Sequence, residues 1–489
     1  MSEHSETHMP IAIVGAGFAG IGLTIKLREA GITDVTILER ADELGGTWRD
    51  NTYPGVACDV ASCLYSYSFA PNPDWSHAYS EGPEILDYLR SVAERCDVDR
   101  HIRYGTEVLR ARWNDAAGHW ELETTAGPLT ADVVIPATGP FGDPQMPDIP
   151  GLDRFEGTMF HSLRWDHDHD LRGRRVAVLG TGASAVQFVP EIQPLVERML
   201  VFQRTPPWIV PRFDRPTSRF ERRLYRRFPS LQRVLRGLTY ALVESLGFVI
   251  FVDRRIAPLF HALGRWQLWR QVRDPVLRRR LTPGYTIGCK RAMLSDAYLP
   301  SLTRSNVEVI TDSIAEIREH AVVTADGTEH AVDTIILGTG FDVPSRATER
   351  WSGRDGKSVA EIYDERPQSY KGVAMSGFPN LFMFFGPFGA AGNQSALYIL
   401  ESQMSYIVDA IRTMRSQGAR TVEVRAQAQE EFVSEVEERS VDTVWLRGGC
   451  RSYYQTPDGR NAGLYPGWSF EYRRRTRRFD PEAYEVTAA

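Results

Sequence analysis

Two short apolar segments, each running directly into a glycine-rich turn and then a helix, limit what this chain can fold into more than any other feature. The first is Ile11–Val14, followed by Gly15-Ala16-Gly17-Phe18-Ala19-Gly20 and a helical stretch through about Ala30. A second strand, Val35–Leu38, then ends at Glu39. In such a unit Gly15 permits the tight turn, Gly17 lets the backbone approach a pyrophosphate, and Gly20 lets the helix pack close to the strand. The helix N-terminus offers unpaired N–H groups and a partial positive charge to phosphate. Glu39 stands 22 residues after Gly17, where a carboxylate can accept hydrogen bonds from an adenosine ribose.

The second segment is Val176–Leu179, followed by Gly180-Thr181-Gly182-Ala183-Ser184-Ala185 and a helix through about Val196. Ala185 replaces the third glycine, which the pattern tolerates. The next strand, Met199–Phe202, leads to Gln203-Arg204-Thr205 and not to an acid. An arginine there pairs with a 2′-phosphate, whereas a carboxylate selects the unphosphorylated ribose. The acid-ended unit therefore suits FAD and the arginine-ended unit suits NADPH. Thr181, Gly182, Ala183, Ser184 and Gln187 are expected along the nicotinamide nucleotide, and Arg204 and Thr205 at its ribose phosphate. One bound flavin and one exchangeable nicotinamide define a flavin-linked oxidoreductase, without saying what accepts the electrons.

With 489 residues the chain is too long for one ordinary core. The fold expected is α/β, with two Rossmann-like dinucleotide-binding domains. Residues 1–140 form the first part of the FAD domain, 141–154 a linker, 155–333 the NADPH domain, and 334–489 the second part of the FAD domain with the C-terminal segment. Within the NADPH domain, residues 212–283 have helical apolar spacing and form a helical insertion. Residues 212–280 carry 17 Arg against 5 acids. A solvated arginine face is the preferred reading, and attraction to anionic lipid is the alternative. Leu238–Val252 is the longest apolar-looking stretch, but its 15 residues include Glu244 and are too few to span a bilayer.

Hydrophobic residues make up 42% and charged residues 25%, the balance of a soluble globular protein, and the net charge of −6 gives no reason to expect nucleic acid. The five cysteines form no C-x-x-C pair, so neither a disulfide framework nor a redox-active dithiol is expected. The N-terminus lacks the basic and apolar pattern of a signal peptide or anchor, and the chain reads as cytoplasmic. The run Asp166-His167-Asp168-His169-Asp170 reads as a solvated loop; no metal is expected. The tail run Arg473–Arg478 reads as exposed.

Residues Phe155 to Asp166 (FEGTMFHSLRWD) match F-x-G-x-x-x-H-x-x-x-W-D, and on this pattern the chain resembles type I Baeyer–Villiger monooxygenases. Further likeness lies in Gly45-Gly46-Thr47-Trp48 with Tyr53-Pro54-Gly55 and Asp59, in Ala137-Thr138-Gly139, in Leu337-Gly338-Thr339-Gly340-Phe341-Asp342, and in Phe378-Pro379-Asn380-Leu381 running to Gly392-Asn393. The resemblance covers about Ile11 to Ile407 and weakens beyond.

That resemblance implies a ketone turned into an ester or lactone with O₂, through an anionic oxygen adduct at the flavin C4a, with sulfide oxidation as a side activity. It implies Arg291 as the catalytic cation, Asp59 as the carboxylate that positions it, and Lys290 beside Arg204 at the 2′-phosphate. Gly46, Thr47, Trp48, Tyr65, Val108 and Asn393 are implied around the flavin nucleotide. His161 and Trp165 are expected to be structural or conformational. The small-molecule partners are a ketone and O₂, and the assembly a monomer or homodimer. An N-hydroxylating flavin monooxygenase, a reductase serving a protein partner, and a nucleotide sensor without turnover are the alternatives.

Overall fold

The computed structural model describes residues 7–248, 257–342, 349–392 and 394–488. Its first sheet has seven strands in the spatial order Trp351–Ser352, Val108–Asn114, His119–Thr124, Gly127–Pro136, Thr7–Val14, Val35–Leu38, Ile102–Arg103. Thr7–Val14 pairs in parallel with Val35–Leu38 on one side and Gly127–Pro136 on the other. Layers cover both faces of this strand, which is why Ile11-Ala12-Ile13-Val14 is an unbroken apolar run, buried at every position. The helix Phe18–Glu29 lies on one face. The long helix Ala396–Gln417 packs against it so closely that a Cβ on Gly22 would sit 2.5 Å from the Met404 methyl. On the other face Trp120, Trp351 and Phe378 share a core with Val14 and Leu38. The chain therefore leaves the first sheet, builds a second, and returns to complete the first.

The second sheet is entirely parallel, in the order Val307–Ile310, Arg198–Phe202, Arg175–Leu179, Thr334–Leu337, Thr158–His161. Thr334–Leu337 thus pairs with strands of the second unit on both sides. The sequence boundary before Thr334 moves beyond Leu337, because an apolar run of four residues does not reveal its pairing partners. The helix after the second glycine turn spans Ala183–Ile192 and stops short of Val196. Pro194 has no N–H with which to continue it.

Between the paired strands Ile209–Val210 and Met293–Leu294 lie the helices Arg219–Arg227, Pro229–Phe248, Ala257–Gln271 and Pro275–Arg280. Pro229–Phe248 is attached to the body through polar side chains. Gln232 donates to the Asn72 carbonyl at 2.5 Å, and Arg236 donates to the Cys63 and Ser66 carbonyls at 2.7 and 3.0 Å. Tyr240 meets the Ser469 hydroxyl at 3.0 Å, and buried Glu244 accepts from Gln394 at 3.1 Å and from the Ser469 hydroxyl at 2.7 Å.

One bond was not anticipated from the sequence, and the exposure expected of the tail run holds for Arg474, Arg477 and Arg478 but not for Arg473 and Arg475. Cys289 and Cys450 form a disulfide across a separation of 161 residues, while Cys58, Cys63 and Cys96 are free. No spacing rule reports this pair, because only tertiary folding lays Gly448 and Cys450 against Cys289. In the tail run, Arg475 pairs with Glu435, and the Arg473 guanidinium lies 4.8 Å from the centre of the Tyr398 ring, so both are engaged side chains.

Candidate functional site

The first glycine turn is a cradle. Gly15 has φ of +111°, and a Cβ on Gly20 would lie 2.0 Å from the Gly15 carbonyl oxygen, so strand, turn and helix are in contact. Gly17 faces Gly46: a Cβ on Gly46 would come 3.3 Å from the Gly17 Cα, whereas one on Gly17 meets nothing nearer than 3.8 Å. No side chain caps the helix that Gly17 begins, so its first N–H groups keep their pull on an anion. Glu39 is buried at the end of Val35–Leu38. It accepts from the Ala16 amide at 2.7 Å, the Ala41 amide at 3.0 Å and Arg49 at 2.9 Å. A carboxylate has about four lone-pair sites, so about one remains for a ribose hydroxyl. Thr47 opens the short helix Thr47–Asp50. Trp48 donates its indole N–H to the Tyr65 hydroxyl at 3.1 Å, and Phe18 and Trp48 each meet the Tyr65 ring edge-on with centroids 5.5 Å apart. Val108 is buried in the core on the face with Val14 and Leu38. Asn393 lies outside the described residues.

The second turn repeats this construction. A Cβ on Gly180 would meet the Gly338 carbonyl oxygen at 2.3 Å, and one on Gly182 meets nothing nearer than 4.0 Å. Ala183 and Ser184 form the uncapped first turn of the helix. Thr181 donates to the Thr205 carbonyl at 3.3 Å, tying the turn to the segment after Arg198–Phe202. Arg204 is exposed, and Lys290 comes near enough that burial and the Arg204 charge together hold its ammonium pKa below the ordinary lysine value. Two cations near each other beside a dinucleotide turn concentrate positive charge there. Gln187, expected along the nicotinamide nucleotide, also holds protein partners. Its oxygen accepts from the Tyr53 hydroxyl at 2.9 Å and the Ala57 amide at 3.3 Å, and its nitrogen donates to the Ala57 carbonyl at 2.9 Å. The amide therefore joins the two units. Burial pushes the Tyr53 phenol up to about 12, so it remains a donor.

The segment around residue 290 connects the units at the reacting end. Arg291 donates to both oxygens of Asp59, through Nε at 2.6 Å and Nη2 at 2.7 Å. The Asp59 charge outweighs the cost of burial and lifts the Arg291 pKa well above its usual range. Burial alone would raise the Asp59 carboxyl, but the Arg291 charge and its hydrogen bonds reverse that and hold it below the usual carboxylate value. Of the five N–H donors on a guanidinium, two face Asp59 and three remain for another anion. The backbone is fixed on several sides: Ile287 N donates to His261 at 2.8 Å, Thr286 N to the Gly448 carbonyl at 2.8 Å, and Cys289 is bonded to Cys450.

Sequence reasoning missed several participants. Arg212 adds a second positive charge near Asp59 while donating to the Tyr79 carbonyl at 3.3 Å; as one of 17 arginines in its stretch, it carried no distinguishing mark. Tyr453 and Tyr454, hydrogen-bonded to each other at 3.0 Å, lie close enough to influence Arg291. They arrive with the disulfide, across a separation too long for local pattern to report. His161 is buried, with Nδ1 accepting from the Leu163 amide at 3.0 Å, and burial lowers its pKa. Trp165 packs between Phe160 and Phe188. In the acidic run, His167 meets Thr52 and His169 meets Thr334, each at 2.8 Å, so the two rings point to different parts of the protein.

Comparison with known proteins agrees with this construction. A family described as flavin-binding monooxygenase-like matches residues 8–347. A Baeyer–Villiger monooxygenase of Streptomyces coelicolor is 45% identical over 501 residues, covering 99% of this chain and 94% of that protein. One of Pseudomonas aeruginosa is 42% identical, covering 98% of this chain and 92% of that protein. Cyclohexanone monooxygenase from Rhodococcus sp. Phi1 bound to NADP⁺ superposes with a TM-score of 0.88 at 29% identity, covering 99% of this chain and 100% of that one. An oxidized steroid monooxygenase bound to NADP gives 0.86 at 28% identity, with 99% and 100% covered. The chain belongs to the flavin-binding monooxygenase-like family.

Proposed function

We propose that this chain is a Baeyer–Villiger monooxygenase, using FAD and NADPH to insert one atom of O₂ beside the carbonyl of a ketone. The observation that carries the reading is the bidentate Asp59–Arg291 pair, placed on a segment whose preceding residue, Lys290, lies near enough to Arg204 to feel its charge. One short segment thereby addresses both nucleotide units.

The residues fit both cofactors. The open space at Gly17 and Gly46, the uncapped helix behind them and the last acceptor site of Glu39 suit an FAD pyrophosphate and ribose. Thr47 opens the short helix beside that cradle, and Tyr65, hydrogen-bonded to Trp48, lies near enough to Asp59 and Arg291 to feel their charges. Gly182, Ala183 and Ser184 suit a second pyrophosphate, and Arg204, Thr205 and Lys290 the 2′-phosphate. When bound, the flavin and nicotinamide supply hydride transfer and oxygen activation.

The chain's own contribution is electrostatic. Arg291 keeps its proton at every pH at which the protein is folded, and Asp59 fixes the plane of its guanidinium. Its free N–H groups stabilise negative charge first on the attacking oxygen and then on the former carbonyl oxygen, without rearranging during the reaction. Removing one such preorganised donor from an active site costs about 100- to 1,000-fold in rate. Asp59 does not transfer a proton in this scheme, since its carboxyl is held in the ionised form.

The test is aerobic turnover of the yellow holoenzyme with NADPH and a panel of linear, cyclic and aromatic ketones under ¹⁸O₂. An ester carrying one ¹⁸O from the gas is expected. NADPH consumption that depends on an amine and yields a hydroxylamine would assign the same site to N-hydroxylation instead.

A further inference from the structure

The helix Pro229–Phe248 is inside out. Along one face the polar residues Gln232, Arg236, Tyr240 and Glu244, spaced by four, anchor it to the body, with the Tyr240 ring stacked on Tyr398 and Phe248 at the helix end stacked on Trp468. On the opposite face, Leu231, Val234, Leu235, Leu238, Leu242 and Leu246 recur at helical spacing and are exposed, with Val234 at 58%, Leu238 at 65% and Leu242 at 59%. Aqueous helices turn such a stripe toward the core. Here polar contacts hold it outward. The same insertion exposes Trp266 and Trp269 on the next helix.

We infer that this stripe is the docking face for an anionic phospholipid surface. Residues 212–280 carry a net charge of +12, while the whole chain carries −6, so the remainder carries −18. Arg219, Arg223 and Arg227, on the preceding helix, are exposed. The acids of these two helices are withdrawn: Glu221 pairs with Arg215 and caps its own helix through Ser218, and Glu244 is buried. A leucine stripe with exposed tryptophans and exposed arginines is the composition of a helix lying in a bilayer interface. No described helix is long and apolar enough to cross a membrane, so the contact is peripheral. A second copy fits less well. Stripe against stripe would bring two clusters of +12 together, and elsewhere among the described residues the exposed large apolar side chains, such as Phe141, Leu195 and Val441, are scattered along the sequence in unrelated segments and not in a second helical stripe.

The proposal does not depend on which substrate is oxidised, and its test reads binding alone. FAD-loaded enzyme is sedimented with vesicles of phosphatidylcholine and with vesicles of phosphatidylcholine containing about one-third phosphatidylglycerol. At least about tenfold more protein should bind the anionic vesicles, and raised salt should release it. Leu238→Glu combined with Leu242→Glu should lower the bound fraction about tenfold or more, with flavin absorbance and NADPH oxidation as in the wild type, because both side chains are already exposed. Wild-type protein left in the supernatant with anionic vesicles overturns the inference, and so does equal binding by the double variant. A dimer in the wild type that the double variant dissolves would overturn it in favour of a second copy.

Discussion

At the scale of single residues, the site is a set of charges placed before any ligand arrives. Arg291 and Asp59 compensate each other in the free protein, so the guanidinium is oriented when substrate enters. Asp59→Asn keeps the side-chain shape but removes the charge that aims Arg291, and ester formation should fall by about 10- to 100-fold; wild-type turnover by this variant would leave Asp59 without a role. Lys290 gives a pH signature. Its pKa lies below the ordinary lysine value because of burial and the nearby Arg204 charge. As pH rises, Lys290 therefore loses its proton before Arg204 does, and the phosphate site falls from two cations to one. The ratio kcat/KM should fall on an alkaline limb with NADPH but not with NADH, and Lys290→Arg should remove the limb. A limb of equal size with NADH, or one that survives in Lys290→Arg, contradicts the assignment. Arg204→Ala should raise KM for NADPH by roughly 10- to 100-fold, and that for NADH far less. Arg204 could be singled out in the sequence because it follows a strand of a dinucleotide unit at the position that meets the ribose. The Lys290 shift was not legible, since it arises from two segments 86 positions apart meeting in space.

At the scale of elements, the two strand–turn–helix units were legible because a strand buried on both faces must be a continuous apolar run, and a dinucleotide turn must be glycine. What joins the units was not. Gln187, Tyr53 and Ala57 form three hydrogen bonds between the units. Gln187→Ala leaves both Ala57 backbone groups without their side-chain partner and the Tyr53 hydroxyl with Ser184 alone, which should cost about 1–3 kcal/mol. A lower midpoint of thermal unfolding is expected, with a larger KM for NADPH as the units lose register; an unchanged midpoint would show that water replaces the amide. Thr334–Leu337 was misassigned for a related reason. In a parallel sheet the partner arrives only after a long crossover, and local pattern does not record it. The helix Pro229–Phe248 was read as helical, but its polar anchors and outward leucines invert the rule that a sequence reading applies.

At the scale of the whole molecule, distant segments converge on one loop. The disulfide between Cys289 and Cys450 ties the Arg291 segment to the C-terminal region that brings Tyr453 and Tyr454. A cross-link of this kind contributes about 2–4 kcal/mol to stability. Unfolded protein should show three titratable thiols without reductant and five after reduction, from the free cysteines and the bonded pair, and reductant should lower the denaturation midpoint. Five thiols without reductant would contradict the bridge. The sequence excluded a framework of many disulfides but could not show one bond made by folding. The most direct test of the central claim separates reduction from oxygenation in Arg291→Ala. Under anaerobic rapid mixing, NADPH should bleach the flavin of this variant at a rate within a few-fold of wild type, since the variant keeps Arg204 and Lys290. With O₂ and ketone admitted, ester formation should drop by about 100-fold or more. Ester appearing at the wild-type rate would contradict the account.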